Sequence, residues 1–174
     1  RLRPDGDSGS LVPSVEGFRS YQEATAWTWE HQALVRARPV AGDLGVCARF
    51  AAIRHQVLCL ERDPDRLLDD VRSMREKMRA GLDRSDAGHF HVKHGTGGLV
   101  DIEFIVQYAV LRWAHAHPDL TEWTDNARLL ERFLHDFLGQ LQDFDVHLKR
   151  CDAVLGTGDL KVHIAGMIFI PQDI

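Results

Sequence analysis

A glycine-rich turn between a lysine and two carboxylates is the part of this chain whose residue types best suggest chemistry. Lys93 is followed by Gly97 and Gly98, then by Asp101 and Glu103, before an apolar segment begins. Glycine permits positive φ and close backbone approach, and a glycine turn entering a helix can present N–H groups to an anion. One interpretation is therefore a phosphate site built by Lys93 and the two glycines. The other is an ordinary loop, with Asp101 stabilising the first helical turn and Glu103 solvated.

Two further groups of side chains are candidates. Arg72, Arg75 and Arg79 share one face of a predicted helix, which favours either a solvated basic face or a wall that contacts phosphates or an acidic partner. Trp27 and Trp29 are two positions apart and cannot share a helix face. The sequence thus predicts that at least one of the two belongs to the core, with a stacking platform for a nucleotide base as the alternative.

These candidates are positioned by a mainly helical scaffold. Apolar residues recur at helical spacing, and polar starts and prolines delimit the segments. The predicted helices span residues 14–24, 27–37, 43–60, 63–82, 98–115 and 126–141. Residues 1–12 are predicted to hold the end of a strand and a turn. The expected fold class is a mainly α helical bundle that follows a small β remnant.

Composition excludes several function classes. A net charge of −5 over 174 residues argues against a general binder of nucleic acid or membrane, which would normally be basic. The three cysteines follow neither zinc-site nor disulfide spacing, as expected for reduced thiols in the cytoplasm. No His-Glu-x-x-His pattern occurs, so no metal ligand is predicted, and no signal peptide or membrane-spanning run is recognised.

Four sequence blocks occur in a fixed order. They are Trp-Thr-Trp-Glu-His from Trp27 with the Ala-Leu-Val-Arg-Ala-Arg run from Ala33, Met-Arg-Glu-Lys-Met-Arg from Met74, Lys93 through Phe104 with Gln107-Tyr108, and Trp-Thr-Asp-Asn-Ala-Arg from Trp123. Together they resemble the C-terminal, adenylylating half of the glutamine synthetase adenylyltransferases. The deadenylylating half and the uridylyltransferases of the PII signalling protein share parts of this pattern, but the two tryptophan blocks look more like the adenylylating half.

The resemblance implies transfer of AMP from ATP to a tyrosine hydroxyl of glutamine synthetase, with Mg²⁺ required and pyrophosphate released. In such enzymes a Gly-Ser turn, an Asp-x-Asp pair and a third aspartate hold two metal ions. No Gly-Ser-x-x-Asp-x-Asp occurs in this sequence. We therefore expect the metal-binding core to lie upstream of Arg1, and this chain to be one part of an enzyme. Taken alone, it is expected to hold no catalytic residue, metal, ATP or Mg²⁺ and to be inactive.

The resemblance also implies roles for single residues. Arg1 and Arg3 alternate on an extended segment and face one side; either they adjoin the missing metal site or they are a surface pair at a frayed end. The candidates for nucleotide or phosphate binding are Arg1, Arg3, Arg75, Arg79, Lys93, Gly97 and Gly98. The candidates for structural or positioning roles are Glu30, Asp101 and Glu103, with Glu30 expected to pair with an arginine across a domain junction.

The predicted organisation has two parts. Residues 1–40 are assigned to the end of a nucleotidyltransferase catalytic domain and residues 41–174 to a helical bundle domain. The resemblance fades after about residue 135, and the apolar, β-prone tail at 156–174 has no counterpart in it. Glutamine synthetase is the expected partner, and a PII-type protein is a further candidate. Two alternatives stay open: a non-catalytic helical module that docks glutamine synthetase or PII-type proteins, and a deadenylylating or PII-uridylylating relative.

Overall fold

The structure, a computed structural model, describes residues 12–137, with side chains up to Phe133. Its elements are α1 (Val15–Ala24), α2 (Thr28–Val35), α3 (Leu44–Leu58), α4 (Pro64–Leu82), α5 (Leu99–Trp113), a 3-10 turn (Pro118–Thr121) and α6 (Asn126–Phe137). No strand occurs among the residues described, so the mainly α prediction is confirmed. The predicted β remnant is not seen: Val12 lies in a bend, and the rest of that segment falls outside the described residues.

Three helices begin at polar residues that the sequence marks as helix starts. In each, the N-cap carboxylate or hydroxyl accepts the backbone N–H three residues later, at 2.8–3.0 Å: Ser14, Asp43 and Asp63. Pro64 occupies the first turn of α4, where its missing N–H leaves no hydrogen bond unmade. Local chemistry therefore sets these boundaries without help from the rest of the fold.

The core forms around α5. This helix contacts α2, α4 and α6, while α3 packs against α1 and α2. Fully buried aliphatic side chains from four helices meet there, and the removal of their surface from water stabilises the bundle. They include Leu34, Ile53, Leu58, Val71, Val110 and Leu111.

The helices on both sides of residue 40 share this core. α1 and α2 lie in the region assigned to the catalytic domain, yet they pack on α3, α4 and α5. The domain division at residue 40 remains a prediction. The apolar tail at 156–174, Cys151 and the last predicted turn of α6 lie outside the described residues.

The prediction that Trp27 or Trp29 belongs to the core was wrong. Their side chains are 70% and 42% exposed. Trp27 is the N-cap of α2 and has extended backbone, so it does not join the inward helical face. That face is occupied by Glu30 and Leu34, which are one helical turn apart and are both buried.

Candidate functional site

A buried ion pair joins α4 to the first turn of α5. Counted as whole residues, Arg75 and Asp101 are each 1% exposed. Nε of Arg75 donates to Oδ1 of Asp101. Nη2 of Arg79 lies 3.5 Å from the same oxygen. Burying a charge is costly unless it is paired and hydrogen-bonded. Removing either Arg75 or Asp101 alone would therefore leave an unpaired charge in the interior.

The same two side chains hold the glycine turn. Oδ2 of Asp101 accepts the N–H of Gly97 at 2.6 Å. Nη2 of Arg75 donates to the carbonyl oxygens of His94 at 2.9 Å and Gly95 at 3.5 Å. The ion pair is thereby connected to three backbone groups of the loop that follows Lys93.

The two adjacent glycines serve different steric needs. Gly97 has a φ of 81°, a conformation that L side chains rarely adopt. Gly98 has ordinary φ, but a Cβ there would lie 2.5 Å from the carbonyl oxygen of Val92 and 2.9 Å from that of Gly95. Gly97 thus uses the freedom of glycine to adopt positive φ, and its neighbour Gly98 uses the close backbone approach that a missing side chain allows.

The backbone N–H groups of this turn donate within the protein. Gly97 donates to Asp101 and Gly98 to the carbonyl of Gly95. At the start of α5, Leu99 donates to Val92 at 3.0 Å and Val100 to Lys93 at 3.1 Å. An anion at this turn would therefore have to be bound by side chains rather than by these four N–H groups.

The candidate cations differ in their access to solvent. The Lys93 side chain is exposed, that of Arg79 is 26% exposed, and that of Arg75 is 2% exposed. Arg72 is exposed and pairs with Glu76 at 3.0 Å. The expected common basic face on α4 is therefore not formed, because Arg75 belongs to the inward face. Arg1 and Arg3 lie outside the described residues.

The other two acidic candidates make local contacts. Glu30 is 3% exposed and accepts the Tyr21 hydroxyl at 2.8 Å and the Trp27 N–H at 3.0 Å. These contacts close the start of α2, and the expected arginine partner is not found among the described residues. Glu103 forms a partly exposed ion pair with Arg36.

Sequence reasoning missed two arginines that bond main-chain oxygens, the buried Arg54 and the half-buried Arg62. Arg54 donates to the carbonyl oxygens of Leu34 at 2.8 Å and Val35 at 2.6 Å. Arg62 donates to those of Val57 at 2.6 Å and Leu60 at 2.8 Å. Burial lowers the pKa of Arg54, and it lowers the pKa of Arg62 to about 10. A signal for Arg54 existed, because it lies four residues after Phe50 and three before Val57, in register with the apolar stripe of α3.

A cavity of about 350 Å³ lies between the start of α2 and the α3–α4 connection. In its wall, Nε2 of His31 is 2.9 Å from the carbonyl oxygen of Gln22, and Nδ1 is 3.4 Å from Nη2 of Arg62. Thr28 donates to Asp70 at 2.5 Å. Burial lowers the pKa of His31, which favours the neutral imidazole that both contacts allow. These wall groups are already paired with protein atoms.

Residues 12–137 contain neither a metal-ion cluster nor a membrane-spanning helix. No group of three or more His, Cys, Asp or Glu side chains there is placed to hold a metal ion. No helix in the same range is both long and apolar enough to cross a bilayer.

Known proteins match this chain over most of its length. The family model for glutamate-ammonia ligase adenylyltransferase matches residues 1–53. A bifunctional glutamine synthetase adenylyltransferase/adenylyl-removing enzyme from Nitrosococcus oceani is 60% identical over 133 residues, which are 76% of this chain and 14% of that protein. Its namesake from Hahella chejuensis is 50% identical over 157 residues, which are 87% of this chain and 16% of that protein.

The chain therefore spans only about a seventh of the length of these curated relatives. The resemblance to this family, predicted from the four sequence blocks, is nevertheless confirmed, because the identity extends far beyond those blocks. The chain belongs, as a segment, to the glutamine synthetase adenylyltransferase family.

Proposed function

We propose that this chain is part of an enzyme that transfers AMP from ATP to a tyrosine of glutamine synthetase in the cytoplasm. The observation that carries the proposal is the 60% identity over 133 residues to a protein named for that activity. The same name includes adenylyl removal. The two tryptophan blocks favour the adenylylating half, whereas a deadenylylating or PII-uridylylating role is the alternative that they disfavour.

We assign the metal chemistry to parts of the complete enzyme other than the described residues. The described residues offer no group suited to a divalent ion, and the sequence lacks the expected aspartate motif. In the complete enzyme, Mg²⁺ bound with ATP would neutralise charge on the transferred phosphoryl group. What this segment contributes is positive charge and shape beside that site.

Lys93 is the residue we assign to the nucleotide phosphates. Its side chain is exposed, while its carbonyl accepts the N–H of Val100 at 3.1 Å. An exposed point charge on a hydrogen-bonded backbone suits a phosphate group. Arg1, Arg3 and Arg79 remain candidates for the same role, and Arg79 also approaches Asp101.

A docking module for glutamine synthetase or a PII-type protein is the second candidate function. Large apolar side chains remain exposed on this segment, including Trp27 at 70%, Val92 at 63% and Phe90 at 58%. Exposed aromatic residues are enriched where proteins bind one another. Such a module would bind without contributing to phosphoryl transfer.

Substitution of Lys93 separates these functions in a full-length enzyme that contains this segment. Lys93→Ala should lower incorporation of labelled AMP into glutamine synthetase by about 10- to 100-fold, since one charge-assisted phosphate contact is worth about 1.5–3 kcal/mol. Lys77→Ala, an exposed lysine on α4, is the matched control. The chain alone serves as the blank, for which we expect no incorporation.

Two further measurements decide the outcome. The melting temperature and the affinity for glutamine synthetase should both be unchanged in Lys93→Ala. Unchanged AMP transfer would refute the phosphate role of Lys93. Weakened binding of glutamine synthetase, with transfer at saturation unaffected, would favour the docking module instead.

A further inference from the structure

We propose that Arg75 and Asp101 are a positioning pair. They hold the loop that carries Lys93 in place, and neither contacts the nucleotide. The inference rests on the function proposed for Lys93. It concerns residues that the sequence placed in two different groups, Arg75 among the phosphate binders and Asp101 among the structural candidates.

The hydrogen bonds of the pair converge on the backbone beside Lys93. Arg75 binds the carbonyl oxygens of the next two residues, His94 at 2.9 Å and Gly95 at 3.5 Å. Asp101 binds the N–H of Gly97 at 2.6 Å. The position of the loop is thus dictated by two side chains that come from α4 and α5.

Burial rules out direct contact between Arg75 and a ligand in this conformation. The side chains of Arg75 and Asp101 are each 2% exposed, whereas Lys93 is exposed. A guanidinium group bonds the carboxylate through Nε and the backbone carbonyls through Nη2, two nitrogens held in one rigid plane, whereas an ammonium group carries all its donors on a single nitrogen. The arginine is therefore suited to fixing geometry, and the lysine to meeting phosphate.

Stability alone is a weak reason for such a pair. Apolar residues of similar volume can replace a buried ion pair with little loss, although removing one partner alone is strongly destabilising. A small misplacement of a group that contacts the substrate can, by contrast, cost about 100-fold in rate. The pair is expected to matter chiefly through the loop that it holds.

The decisive variant is the double substitution Arg75→Met with Asp101→Leu, which removes both charges. In the full-length enzyme we expect it to regain part of the melting temperature lost in either single variant, because no unpaired charge is left buried. Its kcat/KM for AMP transfer should remain about 10- to 100-fold below wild type. In a Lys93→Ala background the same double substitution should cause no additional loss, because its effect passes through Lys93.

A second readout does not depend on activity. In this chain, hydrogen exchange of the Gly97 amide should become at least tenfold faster in the double variant and in Arg75→Lys, which keeps the charge and is the variant to use if the double one does not fold. Lys77→Met, on the same helix, is the control for loss of one positive charge, and its exchange and activity should match wild type.

Three results are informative. Wild-type activity with a protected Gly97 amide in the double variant would overturn the inference, as would an activity loss that persists undiminished in the Lys93→Ala background. Faster exchange of the Gly97 amide in the double variant, together with unchanged AMP transfer in Lys93→Ala, would support the positioning of the loop and contradict the function proposed for Lys93.

Discussion

Replacing Arg54 tests whether this bundle depends on a buried arginine to close its helix ends. Its guanidinium donates to the carbonyl oxygens of Leu34, Val35, Thr121 and Trp123 at 2.5–3.2 Å. The first two lie in the last turn of α2, past the regular helical hydrogen bonds, and that of Leu34 also accepts the N–H of Ala37 at 3.1 Å. Arg54→Met keeps most of the volume and removes every donor.

The expected loss follows from the number of these bonds. At a net value of about 1 kcal/mol for each hydrogen bond, four bonds correspond to about 4 kcal/mol. This is a large part of the 5–15 kcal/mol that is typical for a folded domain. Arg54→Lys can satisfy fewer of the four carbonyls, so we expect a loss of about half that size.

Urea unfolding followed by circular dichroism measures the effect. With a slope of about 2 kcal/mol per molar urea, Arg54→Met should lower the midpoint by about 2 M. Arg49→Met, an exposed arginine on the same helix, should leave the midpoint unchanged. A loss below about 0.5 kcal/mol in Arg54→Met, within the range of ordinary surface substitutions, would show that the carbonyls do not need the guanidinium.

Two further predictions concern steric fit and pH. Gly98→Ala should destabilise by about 1–3 kcal/mol because its methyl group meets three carbonyl oxygens within 3.0 Å. Gly81→Ala, which meets nothing within 4 Å inside α4, should stabilise by about 0.5–1 kcal/mol; equal effects in urea unfolding would contradict this reasoning. Burial lowers the pKa of His31, so its stabilising effect is complete above about pH 6.5 and is lost as pH falls from there toward the folded pKa. Unfolding at a series of pH values should therefore show a smaller loss of stability between about pH 7 and pH 5 in His31→Gln than in wild type, and an unchanged slope would refute this role.

Features set by local sequence could be predicted. The starts of α1, α3 and α4 followed from side chains that cap N–H groups three residues away. The need for glycine at Gly97 and Gly98 also followed from sequence, because the two lie in a turn just before an apolar helix. Such signals act over one helical turn and do not require knowledge of the tertiary fold.

Features set by distant partners could not be predicted in the same way. The burial of Arg75 depends on Asp101, which is 26 residues away in sequence, and periodicity gives no such partner. A weaker signal was available, since Arg75 lies four residues after Val71 and eight after Leu67, both buried in α4. A charged residue in register with a buried apolar stripe indicates a buried ion pair as readily as a solvated basic face.

Three arginines bond main-chain carbonyl oxygens; two of them, Arg54 and Arg75, are buried and Arg62 is half-buried. Arg54 binds carbonyls at the end of α2, Arg62 binds them at the end of α3, and Arg75 binds them in the loop before α5. In each place the guanidinium donates to main-chain oxygens, either at a helix end or in the loop. Because these charges serve the backbone, positive charge on a guanidinium is a poor guide to phosphate binding in this bundle. The cation to test first is the exposed one on the loop that the arginine holds, Lys93.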